Sequence, residues 1–205
     1  MTLRKLHFIT GLTLAVFVGL HLFNHLCSVF GAEKHIEVMN TLRLVYRNIV
    51  IEIILLSAVL VQIFSGLTLF KNNRKLATSN FEKLHIYSGL YLAFFFLFHV
   101  SAVLVGRLYL DLDTNFYFGV AVVNIFPINL FFMPYYALSI LAFFGHIAAI
   151  HHKKMYHIVL GFTPRAQAKM ILVLGFCLMI IILYGLTNHF HGVTIPSEYD
   201  INIGK

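Results

Sequence analysis

Two stretches of the chain repeat one another and carry the same pair of histidines. Lys5-Leu6-His7 leads through Thr10-Gly11 and a run of apolar residues to His21, and Lys83-Leu84-His85 leads through Ser88-Gly89 to His99. In each copy the histidines are fourteen residues apart. On an α-helix that is about 40° short of four full turns and roughly 21 Å along the axis, so both rings of a copy share a face. An imidazole inside an apolar helix is costly unless something satisfies it. Iron of a haem held between two such helices would do so, because two neutral imidazoles facing each other give the bis-histidine ligation of a low-spin b haem, suited to electron transfer. His21 and His99 form the strongest pair, lying deep, at one depth and among apolar neighbours. The alternative is hydrogen bonding of these rings to backbone, Thr or Ser within the bundle.

The elements that must position these rings are membrane helices. The chain is 60% hydrophobic and 11% charged, with a mean hydropathy of +0.85. A soluble domain of this size cannot hide so much apolar surface. Five apolar runs are long enough to span, at about 6–30, 48–70, 84–106, 129–150 and 168–187. The first is too long and too rich in histidine for a cleaved signal peptide. The expected fold is an all-α integral membrane protein, one domain over residues 1–205, with a four-helix haem-binding bundle and a fifth helix.

Loop charges set the expected topology. Arg4, Lys5, Lys71, Arg74, Lys75, Lys83, Lys153, Lys154, Arg165 and Lys169 fall on one side, and Lys34, Arg43, Arg47, Arg107 and Lys205 on the other. Ten against five places the N-terminus in the cytoplasm of a cell bounded by this inner membrane. The formal charge of +7 is then a topology signal, and nucleic-acid binding, which needs a basic face on a soluble domain, is excluded. Cys27 and Cys177 sit in different spans without CxxC spacing and read as small apolar fillers.

Other residues carry weaker signals. His146 lies in span four near its cytoplasmic end and would serve a site in the inner half of the bilayer, opposite Gln62 of span two, His85 or His7. A second haem, a polar quinone pocket or a purely structural contact fits there. Glu52 is the one acidic residue well inside a span, and an intramembrane carboxylate is a functional candidate, here for taking protons from a quinol; snorkelling to the outer interface or pairing with Arg47 is the structural alternative. His25, one turn beyond His21, would line an outer quinone site or meet water. His35, His151, His152, His157, His189 and His191 are expected in solvated loops and span ends. Residues 32–47 read as an amphipathic helix on the outer surface, and 107–128 as a segment along the outer interface. Pro134 belongs in the first turn of span four, and the tail 188–205 is expected to be ordered only at its start.

Several segments resemble the membrane-anchor cytochrome b of succinate:quinone oxidoreductases and fumarate reductases, in the form with a single five-helix subunit. They are Arg4-Lys5-Leu6-His7 with Gly11 and His21-Leu22-Phe23-Asn24-His25, then Glu52-Ile53-Ile54 to Gly66, then Phe98-His99-Val100, then His146 with Gly161-Phe162-Thr163-Pro164-Arg165-Ala166-Gln167. The resemblance spans roughly residues 4 to 186. It implies four histidines on four helices holding two haems, with His21 and His99 matching the distal pair and His146 one proximal ligand. The other proximal position is Gln62, a departure that implies loss of the inner haem or a different ligand. It further implies docking of a flavoprotein and an iron–sulfur subunit on the cytoplasmic loops 71–83 and 151–169, with electrons passing to or from membrane quinone. The chain has no flavin or iron–sulfur motif of its own and would not turn over dicarboxylate. Two other classes compete: a stand-alone di-haem protein with His7/His85 and His21/His99 sites, and a haem-free transporter or scaffold.

Overall fold

The computed structural model describes residues 2–204 and is helical throughout, with no strand among the described residues. Seven α-helices follow in order: α1 (Leu3–Leu26), α2 (Ala32–Tyr46), α3 (Ile49–Asn73), α4 (Asn80–Leu108), α5 (Phe116–Asn124), α6 (Asn129–Lys154) and α7 (Pro164–Leu186). Five of them are long and apolar enough to cross a membrane, α1 together with its continuation to Phe30 being the first. The expected spans therefore stand, with ends shifted by a few residues. Only 6% of the most apolar window of α1 is buried, and 11% of that of α4. Leu12, Val16 and Phe64 are 60%, 63% and 69% exposed. Large side chains facing outward along whole helices require an apolar solvent, which supports a multi-pass membrane protein.

Five of the seven helices begin where the sequence supplies a side-chain cap, whereas α2 and α6 start after Gly31 and Ile128 without one. Thr2, Asn48, Asn115 and Thr163 accept from backbone N–H groups of the first turn, and Thr163 is followed by Pro164 at the first helical position. Ser79 and Glu82 close a reciprocal capping box at the start of α4. Pro134 is a correction: α6 starts at Asn129, so the proline sits in the second turn and removes the donor for the Leu130 carbonyl, yet the helix continues through it.

The spans close into a ring in which α1 packs on α3, α3 on α4, α4 on α6, α6 on α7, and α7 back on α1. α1 and α4, the two copies of the repeat, thus face each other across the ring. Leu14, Ala58, Val59 and Ile63 knit α1 to α3, with Phe96 and Val100 of α4 packed against them.

At the end of the ring opposite the N-terminus, α2 and α5 fold over the spans. Residues 116–124 form α5, whose apolar side chains are buried against the spans. Phe116, Val120, Val122 and Val123 form a core with Ile140, Ile182 and Leu186, and Asn124 Nδ2 donates to the Val120 and Leu186 carbonyls. The tail is also a correction. Its 3-10 turn Ser197–Ile203 buries Tyr199 completely against Ala121, and Tyr199 Oη donates to the Asp113 carbonyl at 2.9 Å. Burial, with Glu198 nearby, pushes the Tyr199 phenol up to about 12.

Arg43, Arg47 and Arg107 sit at this same end, where Arg43 pairs with Asp113 at 2.8 Å and Arg47 donates to Thr114. Lys205, assigned to this side from sequence, lies outside the described residues.

Candidate functional site

The histidines of the repeat separate into two groups, one deep in the half of the ring away from the N-terminus and one near the N-terminal end. In the first group, His21 of α1 and His99 of α4 bring their ring centres to 6.1 Å. Two metal–nitrogen bonds of ~2 Å, with about 1 Å from each nitrogen to its ring centre, separate trans imidazoles by about 6 Å. The centre-to-centre spacing matches that figure, while His21 Nε2 itself lies against His25. Each ring is held by an aromatic neighbour one turn earlier: Phe17 stacks on His21 at 5.8 Å and Phe95 on His99 at 4.8 Å. Tyr46 meets the edge of Phe17, and Tyr136 meets His99.

His21 is not isolated. Its Nε2 lies 3.1 Å from His25 Nε2, His25 Nδ1 lies 3.3 Å from His35 Nε2, and Asn24 Nδ2 lies 3.2 Å from the same His35 nitrogen. An amide nitrogen only donates. His35 Nε2 therefore accepts, His25 Nδ1–H points to it, and His25 Nε2 is left to accept from His21. To hold a metal through Nε2, His21 would carry its proton on Nδ1 instead and give up the contact to His25. His25 keeps its hold on His35.

His35 was expected in solvent and is instead 2% exposed, against Phe116 at 5.2 Å between ring centres. Burial first, then His21 and the Arg43 guanidinium, push its imidazole down to about 4. Its Nδ1 is buried without a hydrogen-bond partner. The signal in the sequence was the i, i+4 pair His35 and Met39, both on the buried face of α2. Asn24, 4% exposed, was also unforeseen.

In the second group the structure reveals two equivalent seats. Gln62 of α3 lies on Gly11, its Nε2 donating to the His7 carbonyl and, at 2.7 Å, to Thr10 Oγ1. His146 of α6 lies on Gly89, its Nδ1 donating to the His85 carbonyl at 3.1 Å, with Ser88 Oγ 3.3 Å away. Each partner helix thus lays one polar side chain over the glycine of one repeat copy, bonded to the same carbonyl and the same hydroxyl position. A Cβ on Gly89 would stand 3.0 Å from His146 Cε1, and one on Gly11 would stand 3.3 Å from Gln62 Nε2. With its Nδ1–H spent on a carbonyl, His146 keeps Nε2 as its lone-pair nitrogen, the orientation that metal-bound imidazoles adopt.

The remaining candidates are engaged elsewhere. His85 packs on His146 with the rings tilted by 40° and their centres 4.5 Å apart, too close for a metal between them. His7 Nδ1 bonds to Ser65 Oγ of α3 at 2.7 Å. His7 and His85 are therefore each drawn to a different neighbouring helix. Glu52 forms an ion pair with Arg107 of α4, so its partner is not the Arg47 considered from sequence. Among the described residues, no group of three or more His, Cys, Asp or Glu is placed to hold a bare metal ion.

Comparison of the chain with protein-family models, with curated proteins and with solved structures finds no match in any of the three.

Proposed function

We propose that the chain is a b-type cytochrome that anchors a succinate dehydrogenase- or fumarate reductase-like pair to the cytoplasmic membrane and passes electrons between that pair and quinone. The observation that carries this reading is the facing of His21 and His99 across the ring at 6.1 Å, on the two copies of one repeat. A haem bound there supplies reversible one-electron transfer.

The chain's own residues divide the work. His21 and His99 would hold the haem, and Phe17 and Phe95 fix their ring planes. His25 Nε2 stands at the His21 ring as a base, backed by His35 and Asn24. At the N-terminal end His146 offers one free imidazole nitrogen, and Gln62 occupies the matching seat with an amide. An amide is a poor ligand for haem iron. One haem in the half of the membrane away from the cytoplasm therefore suits the donor set better than two, and Gln62 and His146 are left as polar contacts for a quinone. Glu52 spends its carboxylate on Arg107, which suits a brace between α3 and α4 better than a proton acceptor.

The topology follows from charge. The end with Arg4, Lys5, Lys71, Arg74, Lys75, Lys83, Lys153 and Lys154 faces the cytoplasm, and the loops 71–83 and 151–169 form the docking face for the flavoprotein and iron–sulfur subunits.

Affinity purification from native membranes tests the partner assignment. The expected result is co-purification of a flavoprotein and an iron–sulfur protein, with haem reduced on adding succinate or oxidised on adding fumarate. Purification of a haem-loaded chain with neither subunit contradicts the anchor role and leaves a stand-alone cytochrome.

A further inference from the structure

We propose that the cleft between the first turns of α4 and α7 and the last turn of α6 binds the phosphodiester headgroup of an anionic phospholipid. The cleft has a volume of ≈ 460 Å³ and is lined by Ser79, Asn80, Phe81, His152, Arg165, Lys169 and Leu172. Arg165 and Lys169 are one turn apart on α7, and neither takes part in an ion pair among the described residues. His152 closes the other wall, its ring 4.1 Å from that of Phe81, and its buried Nδ1 has no hydrogen-bond partner. The carboxylate at this end, Glu82, is folded back into the capping box, where Ser79 and Thr78 donate to its Oε2. Two cations without an ion-pair partner thus share one concavity with the His152 ring.

The apolar residues select the occupant. Phe81 forms part of the wall, and Leu172 follows Lys169 by three residues on the membrane-embedded stretch of α7. A ligand filling the cleft is therefore anionic where it meets Arg165 and Lys169 and apolar one turn deeper. A phospholipid at the bilayer surface has that profile. A fork of guanidinium donors and an ammonium are the side chains suited to a phosphodiester. The inference rests only on the helices crossing a membrane, so it stands or falls separately from haem binding.

The full-length chain, purified in detergent, is titrated with phosphatidylglycerol, phosphatidylcholine, inorganic phosphate and polyglutamate, and bound species are counted by native mass spectrometry. The expected result is retention of phosphatidylglycerol over phosphatidylcholine. Removing both charges in R165Q/K169Q weakens the anionic lipid about 10- to 30-fold. R4Q/K5Q removes the same charge from the same end outside the cleft and leaves binding within about 2-fold. H152A keeps both charges and weakens binding about 5-fold, and it serves if the double variant loses its helical circular dichroism. Equal retention of the two lipids, or equal loss in R4Q/K5Q, overturns the proposal. Inorganic phosphate binding as tightly as the lipid assigns the site to a free anion and overturns it, as does tighter binding of polyglutamate, which points to an acidic protein.

Discussion

The two ends of the five-helix ring treat one repeated element in different ways. Away from the N-terminus, both copies contribute their second histidine to a single site, and His21 meets His99 directly. Near the N-terminus, each copy instead receives a side chain from the adjoining helix, Gln62 on Gly11 and His146 on Gly89. The seats are alike in backbone and hydroxyl partners, yet one holds an amide and the other an imidazole. A helix repeat thus builds two symmetric frames and leaves the chemistry to one side chain in each. The two seats at the N-terminal end hold one imidazole between them, where the other end brings two face to face.

The comparison breaks first at the facing pair. Replacing His21 or His99 by Ala is expected to remove the proposed haem altogether, because one imidazole alone would be left to hold it; pyridine haemochrome on the purified variants measures this. Parent-like haem content in both variants transfers the ligand role to other residues. Gln62→His makes the two ends alike. It is expected to raise haem content from one toward two per chain by placing a second imidazole opposite His146, and unchanged stoichiometry shows that the cavity there is not haem-shaped.

His35 sharpens the contrast by pH. Its imidazole titrates near 4 in the folded chain, against about 6.5 when unfolded. The unfolded state therefore binds the extra proton first, and stability is lost as pH falls from about 6.5 through 4. The window is worth on the order of 3 kcal/mol. His35→Gln is expected to flatten this acid limb in thermal melts in detergent. A limb as steep as the parent's assigns it to other groups.

The smallest effects concern the seats themselves. Gly89→Ala sets a methyl 3.0 Å from His146 Cε1, a ring that cannot easily give way, and is expected to cost about 1–2 kcal/mol. Gly11→Ala meets a flexible amide at 3.3 Å and is expected to be nearly neutral. Gly19→Ala meets nothing within 4 Å and is expected to gain up to about 1 kcal/mol from helix propensity. Melting temperatures in that order support the seats; an equal shift in all three contradicts them.

Much of this organisation was legible in the residues before the fold. The five spans follow from runs of apolar side chains, which local composition alone decides, and the facing of His21 and His99 follows from a repeat with constant spacing. What was hidden depends on contacts between distant segments. His35 sits in a polar helix whose mean composition points to water, and only docking of α2 over the ring buries it. Val120 to Val123 read as an interfacial run because nothing local shows Ile140, Ile182 and Leu186 waiting beneath. Tyr199 is one aromatic in a polar tail. Glu52 had Arg47 five residues away and found Arg107 fifty-five residues away. The likeness between Gln62 and His146 needed the partner helices in place, since no sequence similarity links α3 to α6 at those positions.

The most direct measurement is the reduced-minus-oxidised absorbance spectrum of the parent chain, purified after expression with ample porphyrin precursor, with haem counted against protein. A sharp low-spin α-band and one haem per chain is the predicted result. A colourless polypeptide, or a haem whose spectrum lacks two imidazole ligands, contradicts ligation by His21 and His99.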